Sequence, residues 1–195
     1  MAKMKPRSDL HRRRGYTLIE TFVTIGVLII VLGLMVSLAR YVRNRSAGEL
    51  TRAELRRLAI VMDDYMQSNA GRPPEVPAVL APGPGPYDEA EVQRNALLNN
   101  MAFVRVLRQQ SQWSANPGGK LNNVIEGLPV GSFDEVTLHD AWGGLIIFMP
   151  SQRPAIGMAP ADKPFFCSPG PDRKFLTRDD NLYSYEEDSS ADTRP

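Results

Sequence analysis

The fold of this chain is decided by residues 12–39, which read RRRGYTLIETFVTIGVLIIVLGLMVSLA. No charged residue lies between Thr21 and Ala39. As an α-helix, this run of about 19 residues would rise about 29 Å, which matches the hydrocarbon thickness of a bilayer. The stretch therefore predicts a membrane-spanning helix. Its first turn carries one carboxylate, Glu20, for which a plain membrane anchor has no need.

The charges of the chain are unevenly distributed. The 195 residues carry a formal net charge of +1, but residues 1–15 alone carry a net +5, which leaves −4 for the remainder. A basic segment before an apolar helix predicts a cytoplasmic N-terminus and an exported remainder, by the positive-inside rule. A mildly acidic exported domain lacks the basic footprint of a nucleic-acid-binding protein. Because Cys167 is the single cysteine, no intrachain disulfide is expected.

The helical pattern continues beyond the apolar stretch. After a weak point at residues 44–48, apolar side chains recur at helical spacings of three and four over residues 49–67; they are Leu55, Leu58, Met62 and Tyr65. One long helix, membrane-embedded first and amphipathic second, is the economical interpretation. Asn69, Gly71 and the two following prolines predict its end.

The rest of the chain predicts an α+β head. Residues 71–88 contain six prolines and are expected to form an extended loop. Residues 89–110 predict a second helix, and residues 114–133 a loop. Short apolar or aromatic runs predict three strands, at residues 145–149, 165–168 and 182–186. We expect these strands to form a small antiparallel sheet that packs on the amphipathic half of the long helix.

Several export signals compete to explain the N-terminal stretch. A signal anchor shows the same basic and apolar segments, Arg12–Arg13 weakly suggests a twin-arginine signal, and residues 37–39 weakly suggest a signal-peptidase site. The apolar run is longer than the core of a typical cleaved signal, which has about 7–15 residues. None of these signals explains Glu20.

Residues 12–30 resemble the N-terminus of type IV prepilins and type II secretion pseudopilins. The resemblance rests on a basic leader, Gly15, an aromatic residue at Tyr16, Glu20 and an apolar helix, although Tyr16 replaces the commoner phenylalanine. It implies that a prepilin peptidase cuts between Gly15 and Tyr16 and N-methylates Tyr16. It also implies a pilin-like fold with four parts: a cytoplasmic leader (1–15), a transmembrane and filament-core helix (16–41), its amphipathic continuation (42–70) and a globular head (71–195).

The spacing of Tyr16 and Glu20 fits the role that the resemblance gives them. Cleavage would create an α-ammonium group at Tyr16, and Glu20, four residues on, lies on the same helix face. Opposite charges attract strongly in a medium of low dielectric constant, and an unpaired charge there is costly. The pair can form within one chain or between neighbours. In the family, the pair between subunits sets the register of filament assembly.

Two further segments resemble those of major pseudopilins. Residues 65–74 resemble the end of the long helix, and residues 140–143 resemble a turn that leads into the sheet, with Ala141 in place of proline. For both segments a structural role is the default expectation. We expect Trp142 to anchor the core, Gly143 to occupy a tight backbone position and Asp140 to cap the turn.

The segment between the last two predicted strands, residues 168–181, is a candidate calcium site. Asp172, Asp179 and Asp180 offer carboxylates, and a backbone bent by proline and glycine offers carbonyl groups. The segment resembles the calcium-binding loop of major pseudopilins. The alternative is a solvated turn whose charge is neutralised by three cations, Arg173, Lys174 and Arg178.

No motif predicts catalysis, and we expect a protein that is not an enzyme. Only two histidines are present, His11 and His139, and no nucleophile motif surrounds a serine or Cys167. The resemblance implies a structural subunit of a type II secretion-like pseudopilus that supports protein export. The alternatives are a type IV pilus or minor pilin subunit, for adhesion or DNA uptake, and a membrane-anchored periplasmic binding module.

The resemblance also implies a location and partners. The protein would be a single-pass inner-membrane protein with a cytoplasmic N-terminus and a periplasmic head. Its partners would be other copies of the chain, the prepilin peptidase, other pseudopilins and the inner-membrane secretion platform. The filament would lie in the periplasm or at the cell surface.

Overall fold

A computed structural model of the chain describes residues 17–83, 85–113, 132–134 and 136–186. In chain order the elements are helix α1 (Leu18–Ser68), helix α2 (Glu89–Trp113), strand β1 (Ile147–Met149), a 3-10 turn (Pro160–Asp162), strand β2 (Phe165–Ser168), a second 3-10 turn (Gly170–Asp172) and strand β3 (Leu182–Tyr183). Backbone contacts divide the chain into two units, Met1–Val42 and Arg43–Pro195. The expected cleavage junction, Gly15–Tyr16, lies outside the described residues.

Helix α1 is continuous, as the sequence predicted, and the weak point at residues 44–48 is helical. An 18-residue window within it has a mean hydropathy of 2.8, so the helix is long and apolar enough to span a membrane. At its C-terminal end, the Gly71 N–H donates to the Met66 carbonyl at 2.7 Å, and Gly71 has a φ of 76°. The Asn69 side-chain amide donates to the Tyr65 carbonyl at 2.8 Å. This left-handed ending closes the helix where the sequence predicted.

The three strands form one antiparallel sheet in the order β1-β2-β3. Phe148 lies opposite Phe166, and Cys167 lies opposite Tyr183. The predicted strand 165–168 is confirmed, whereas the strands predicted at 145–149 and 182–186 are shorter in the structure. Leu145 makes only an isolated bridge, because the chain turns immediately before it. With its long helix and small antiparallel sheet, the chain is an α+β protein.

The second unit has a hydrophobic cluster on each face of the sheet. On one face, Leu55, Leu58 and Met62 of α1 join Phe148 and Phe166 of the strands. Phe103 of α2 completes this cluster, with ring centroids 5.5 Å from Phe148 and 5.0 Å from Phe166. The opposite face packs against the first turns of α2 and against loop residues; its members include Val79, Val92, Ala96, Ile147, Ile156, Phe165 and Phe175. The amphipathic half of α1 therefore packs on the sheet, as predicted.

Two buried asparagines of α2 complete the outer edge of the sheet. Asn99 donates to the Phe148 carbonyl and accepts from the Phe148 N–H, both at 2.9 Å. Asn100 donates to the carbonyls of Leu138 and Ile146 at 2.8 and 2.6 Å and accepts from the Leu138 N–H at 2.9 Å. Each side-chain amide therefore bonds to the backbone as a neighbouring strand would. This arrangement fixes the position of β1 relative to α2.

Candidate functional site

The first candidate site is the start of α1, where Glu20 lies in the first turn. The Glu20 N–H donates to the Thr17 hydroxyl at 3.3 Å, and the Thr21 hydroxyl donates to the Thr17 carbonyl. Thr17 thus caps the helix, and a Thr-x-x-Glu spacing is the sequence signature of a capping box. The sequence therefore carries a signal for the start of this helix at Thr17. A carboxylate at this position is also stabilised by the helix dipole.

The helix that follows Glu20 exposes an apolar surface. Every residue from 18 to 42 is exposed in the isolated chain. The large apolar side chains among them are Leu18, Ile19, Phe22, Val23, Ile25, Val27, Leu28, Ile29, Ile30, Val31, Leu32, Leu34, Met35, Val36, Leu38, Tyr41 and Val42. Soluble monomers rarely expose a contiguous apolar surface of this extent, so this segment needs lipid or protein around it.

The second candidate site is a buried polar cluster around Asp140, which is 3% exposed. One carboxylate oxygen accepts the N–H groups of Trp142 and Gly144, at 3.0 and 2.7 Å. The other accepts the Ser168 hydroxyl at 2.6 Å, and Ser168 in turn accepts the Gly170 N–H at 3.1 Å. Burial raises the pKa of Asp140 although these hydrogen bonds oppose the shift. Asp140 therefore caps the turn, as expected, and also ties it to the end of β2.

Trp142 differs from the expectation of a core anchor. It belongs to neither hydrophobic cluster and is only partly buried. Its ring edge lies near Gly48 of α1, where a Cβ would stand 3.8 Å from Cη2. The adjacent Gly143 has a φ of 79°, which agrees with its expected tight backbone position.

A buried carboxylate, Glu54, faces the same region from α1. Glu54 is 1% exposed, and its Oε1 accepts the Ser132 hydroxyl. Among the residues that the structure describes, no group donates to Oε2. Burial raises the pKa of Glu54, and the charge of Asp140 raises it further, while Ser132 and Arg57 lower it. Nothing in the sequence distinguishes Glu54, because acidic residues in an amphipathic helix usually face solvent.

The third candidate site is the loop between β2 and β3, where calcium was expected. Within the described residues, no three His, Cys, Asp or Glu side chains are grouped as a metal site requires, so Asp172, Asp179 and Asp180 are not brought together. Asp172 instead accepts the Lys174 N–H at 2.9 Å. The Asp180 carbonyl points at Gly170, where a Cβ would stand 2.0 Å from its oxygen. The three carboxylates of this loop therefore do not converge on one point.

Comparison of the chain with protein-family models, with curated proteins and with solved structures found no match. Of the expected site residues, Gly15 and Tyr16 lie outside the described part of the chain, and Glu20 lies in the first turn of an exposed apolar helix.

Proposed function

We propose that this protein is a pilin-like structural subunit that assembles into a filament through its N-terminal helix, in a type II secretion-like pseudopilus. The observation that carries the proposal is the exposed apolar helix with a single carboxylate, Glu20, in its capped first turn. An anchor needs the apolar helix alone. A carboxylate held at the helix start, next to a prepilin-like cleavage motif, supports a charge-paired assembly site.

The energetics of Glu20 support an intermolecular partner. A charged residue at the centre of a membrane helix costs roughly 2.5–3.5 kcal/mol on insertion scales, and less near the interface. The α-ammonium group of a processed Tyr16 in a neighbouring subunit would offset that cost by a close ion pair in a medium of low dielectric constant. Because a mismatched register leaves both charges unpaired, the pair would also select one register of packing between helices.

The proposal includes processing by a prepilin peptidase and a location in the inner membrane, with the head exported. A type IV pilus or minor pilin subunit would use the same helix in the same way. Such a subunit is distinguished by its secretion or adhesion phenotype and not by its N-terminus. A membrane-anchored binding module would need neither Glu20 nor cleavage.

The test replaces Glu20 by alanine in cells that express a prepilin peptidase and an assembly platform. We expect Glu20→Ala to insert into membranes as well as the wild type, because the change removes a polar group from an apolar segment. Filament yield, measured by shearing and sedimentation with electron microscopy, should fall at least about tenfold, since even one lost ion pair worth 1.4 kcal/mol gives that factor at each addition step.

Thr24→Val is the matched control. The Thr24 hydroxyl donates to the Thr21 carbonyl at 2.9 Å, one turn beyond Glu20. This substitution also removes a polar group from the same helix, and it should leave filament yield unchanged. Wild-type yield from Glu20→Ala subunits would refute the pairing role.

A further inference from the structure

One acidic side chain of α2 accepts hydrogen bonds from the backbone of the loop between β2 and β3. The Glu89 carboxylate accepts the Phe175 N–H on Oε1 at 3.0 Å and the Leu176 N–H on Oε2 at 3.2 Å. Glu89 is the first residue of α2 and is separated from these residues by more than eighty positions. Both carboxylate oxygens are thus occupied by the backbone of a distant segment. Hydrogen bonds to an ionised acceptor are roughly twice as strong as neutral ones.

Gln93, one turn further along α2, strengthens this attachment. Its side-chain amide donates to Glu89 Oε1 at 2.8 Å and to the Arg173 carbonyl at 2.7 Å. Glu89 and Gln93 together therefore bond to the loop backbone at three positions within four residues, which are Arg173, Phe175 and Leu176. The Phe175 side chain is fully buried in the core beneath them.

The remaining contacts close the loop on itself. The Asn181 side chain donates to the Phe175 carbonyl at 2.8 Å. Gly170, with a φ of 68°, lies directly against the Asp180 carbonyl, so that the two ends of the loop meet. At the start of the loop, Ser168 is bonded to the buried Asp140. The loop is therefore held by contacts within the head at its beginning, its middle and its end.

A calcium site would require the opposite arrangement of dipoles. Calcium needs six to eight oxygen ligands that converge on one point. Here two backbone N–H groups converge on an anion, and the Asp172 carboxylate accepts a backbone N–H within the loop. The loop also carries three exposed cations, Arg173, Lys174 and Arg178. The N–H groups of Phe175 and Leu176 therefore form a point of the loop that fits a carboxylate and not a divalent cation.

We propose that Glu89 is the positioning residue of the β2–β3 loop and takes the structural role that a bound calcium ion would otherwise have, so that the folded head is independent of calcium. Glu89 holds the Phe175–Leu176 backbone in place, and thereby keeps the Phe175 ring buried in the hydrophobic cluster. This inference does not depend on the filament proposal.

Amide hydrogen exchange tests the proposal on the full-length chain in detergent micelles, in excess EDTA and at millimolar calcium. The wild type should exchange equally slowly at Phe175 and Leu176 in both buffers. Glu89→Gln keeps the side-chain volume but removes the charge and one acceptor. We expect it to speed exchange at these two amides at least about tenfold in both buffers, because a charge-assisted bond is lost.

Glu91→Gln is the matched control, because it removes one negative charge from the same first turn of α2. It should leave exchange at Phe175 and Leu176 within about twofold of the wild type. Gln93→Met, which removes the donor to Glu89, should give a smaller acceleration than Glu89→Gln.

Two results would overturn the proposal. One is a tenfold slowing of exchange in the wild-type loop on addition of calcium, which would assign the loop to the metal. The other is equal exchange in Glu89→Gln and Glu91→Gln. If Glu89→Gln does not accumulate as a folded protein, the comparison of the wild type in the two buffers decides the matter.

Discussion

Replacing Asn100 by alanine should destabilise the head more than the same replacement of Asn95, which lies on the same helix and is only partly buried. Asn100 is 1% exposed and makes three hydrogen bonds to the backbone of Leu138 and Ile146. Without it, the Leu138 carbonyl keeps one partner, the Ile146 N–H, at 3.1 Å. The Leu138 N–H and the Ile146 carbonyl lose the partner that Asn100 supplied.

The magnitude follows from these two groups. A buried polar group without a partner costs about 1–3 kcal/mol, so Asn100→Ala should lower the free energy of unfolding by about 2–6 kcal/mol. For a chain of this length, 1 kcal/mol corresponds to a shift of about 2–4 °C in the unfolding midpoint. The expected decrease is therefore roughly 4–24 °C.

The assay is thermal unfolding of the full-length chain in detergent, followed by near-ultraviolet circular dichroism, which reports side-chain packing in the head. Asn95→Ala is the control, because Asn95 lies on the same helix, is only partly buried and makes one bond, to the Val79 carbonyl at 3.2 Å. It should cost about 0.5–1.5 kcal/mol. If Asn100→Ala lowers the midpoint no more than Asn95→Ala does, the asparagines do not hold the sheet edge.

Two further predictions concern the buried polar groups and the loop. Burial raises the pKa of Glu54 above 4.5, so its contribution to stability is greatest below that pH and is lost as the pH rises through the folded-state value. The free energy of unfolding in urea should therefore fall less between about pH 4.5 and 7.5 for Glu54→Gln than for the wild type. Some pH dependence should remain in the variant, because burial also raises the pKa of Asp140. An equal dependence of stability on pH in the two proteins would refute this. Gly170→Ala should destabilise the head by at least about 3 kcal/mol, because its Cβ would stand 2.0 Å from the Asp180 oxygen at a φ of 68°. Gly48→Ala, in helix α1 with only ordinary contacts, should be neutral or stabilising, and equal unfolding midpoints for the two variants would contradict the argument.

The sequence predicted the parts of the fold that depend on local pattern. The spacing of Leu55, Leu58 and Met62 indicated the face of α1 that packs on the sheet, and that face is buried in the structure. The run at residues 165–168 predicted β2 because it is short, aromatic and bounded by prolines. The ends of the strands were less predictable. Leu145 is apolar but directly follows a turn, and Ser184 directly follows β3 but already lies in a turn.

The parts that depend on long-range partners could not be predicted. Asparagine usually indicates a turn or a helix cap. That Asn99 and Asn100 bond to the edge of the sheet as a neighbouring strand would becomes visible only when α2 lies beside β1. Glu89 was expected to start a helix, but its partners Phe175 and Leu176 are remote in sequence. The calcium expectation for Asp172, Asp179 and Asp180 was based on residue type and on a resemblance, and neither determines where the backbone directs a side chain.

The central claim, that this chain is a processed pilin-like subunit, is tested most directly by the mass of its N-terminus. The chain should be coexpressed with an active prepilin peptidase, with a known prepilin as a positive control and Gly15→Val as a variant that blocks cleavage. Mass spectrometry of the membrane fraction should then find a chain that begins at Tyr16 and carries one added methyl group, whereas Gly15→Val should keep residues 1–15. An intact wild-type N-terminus, in membranes where the control prepilin is fully cleaved, would contradict the proposed function.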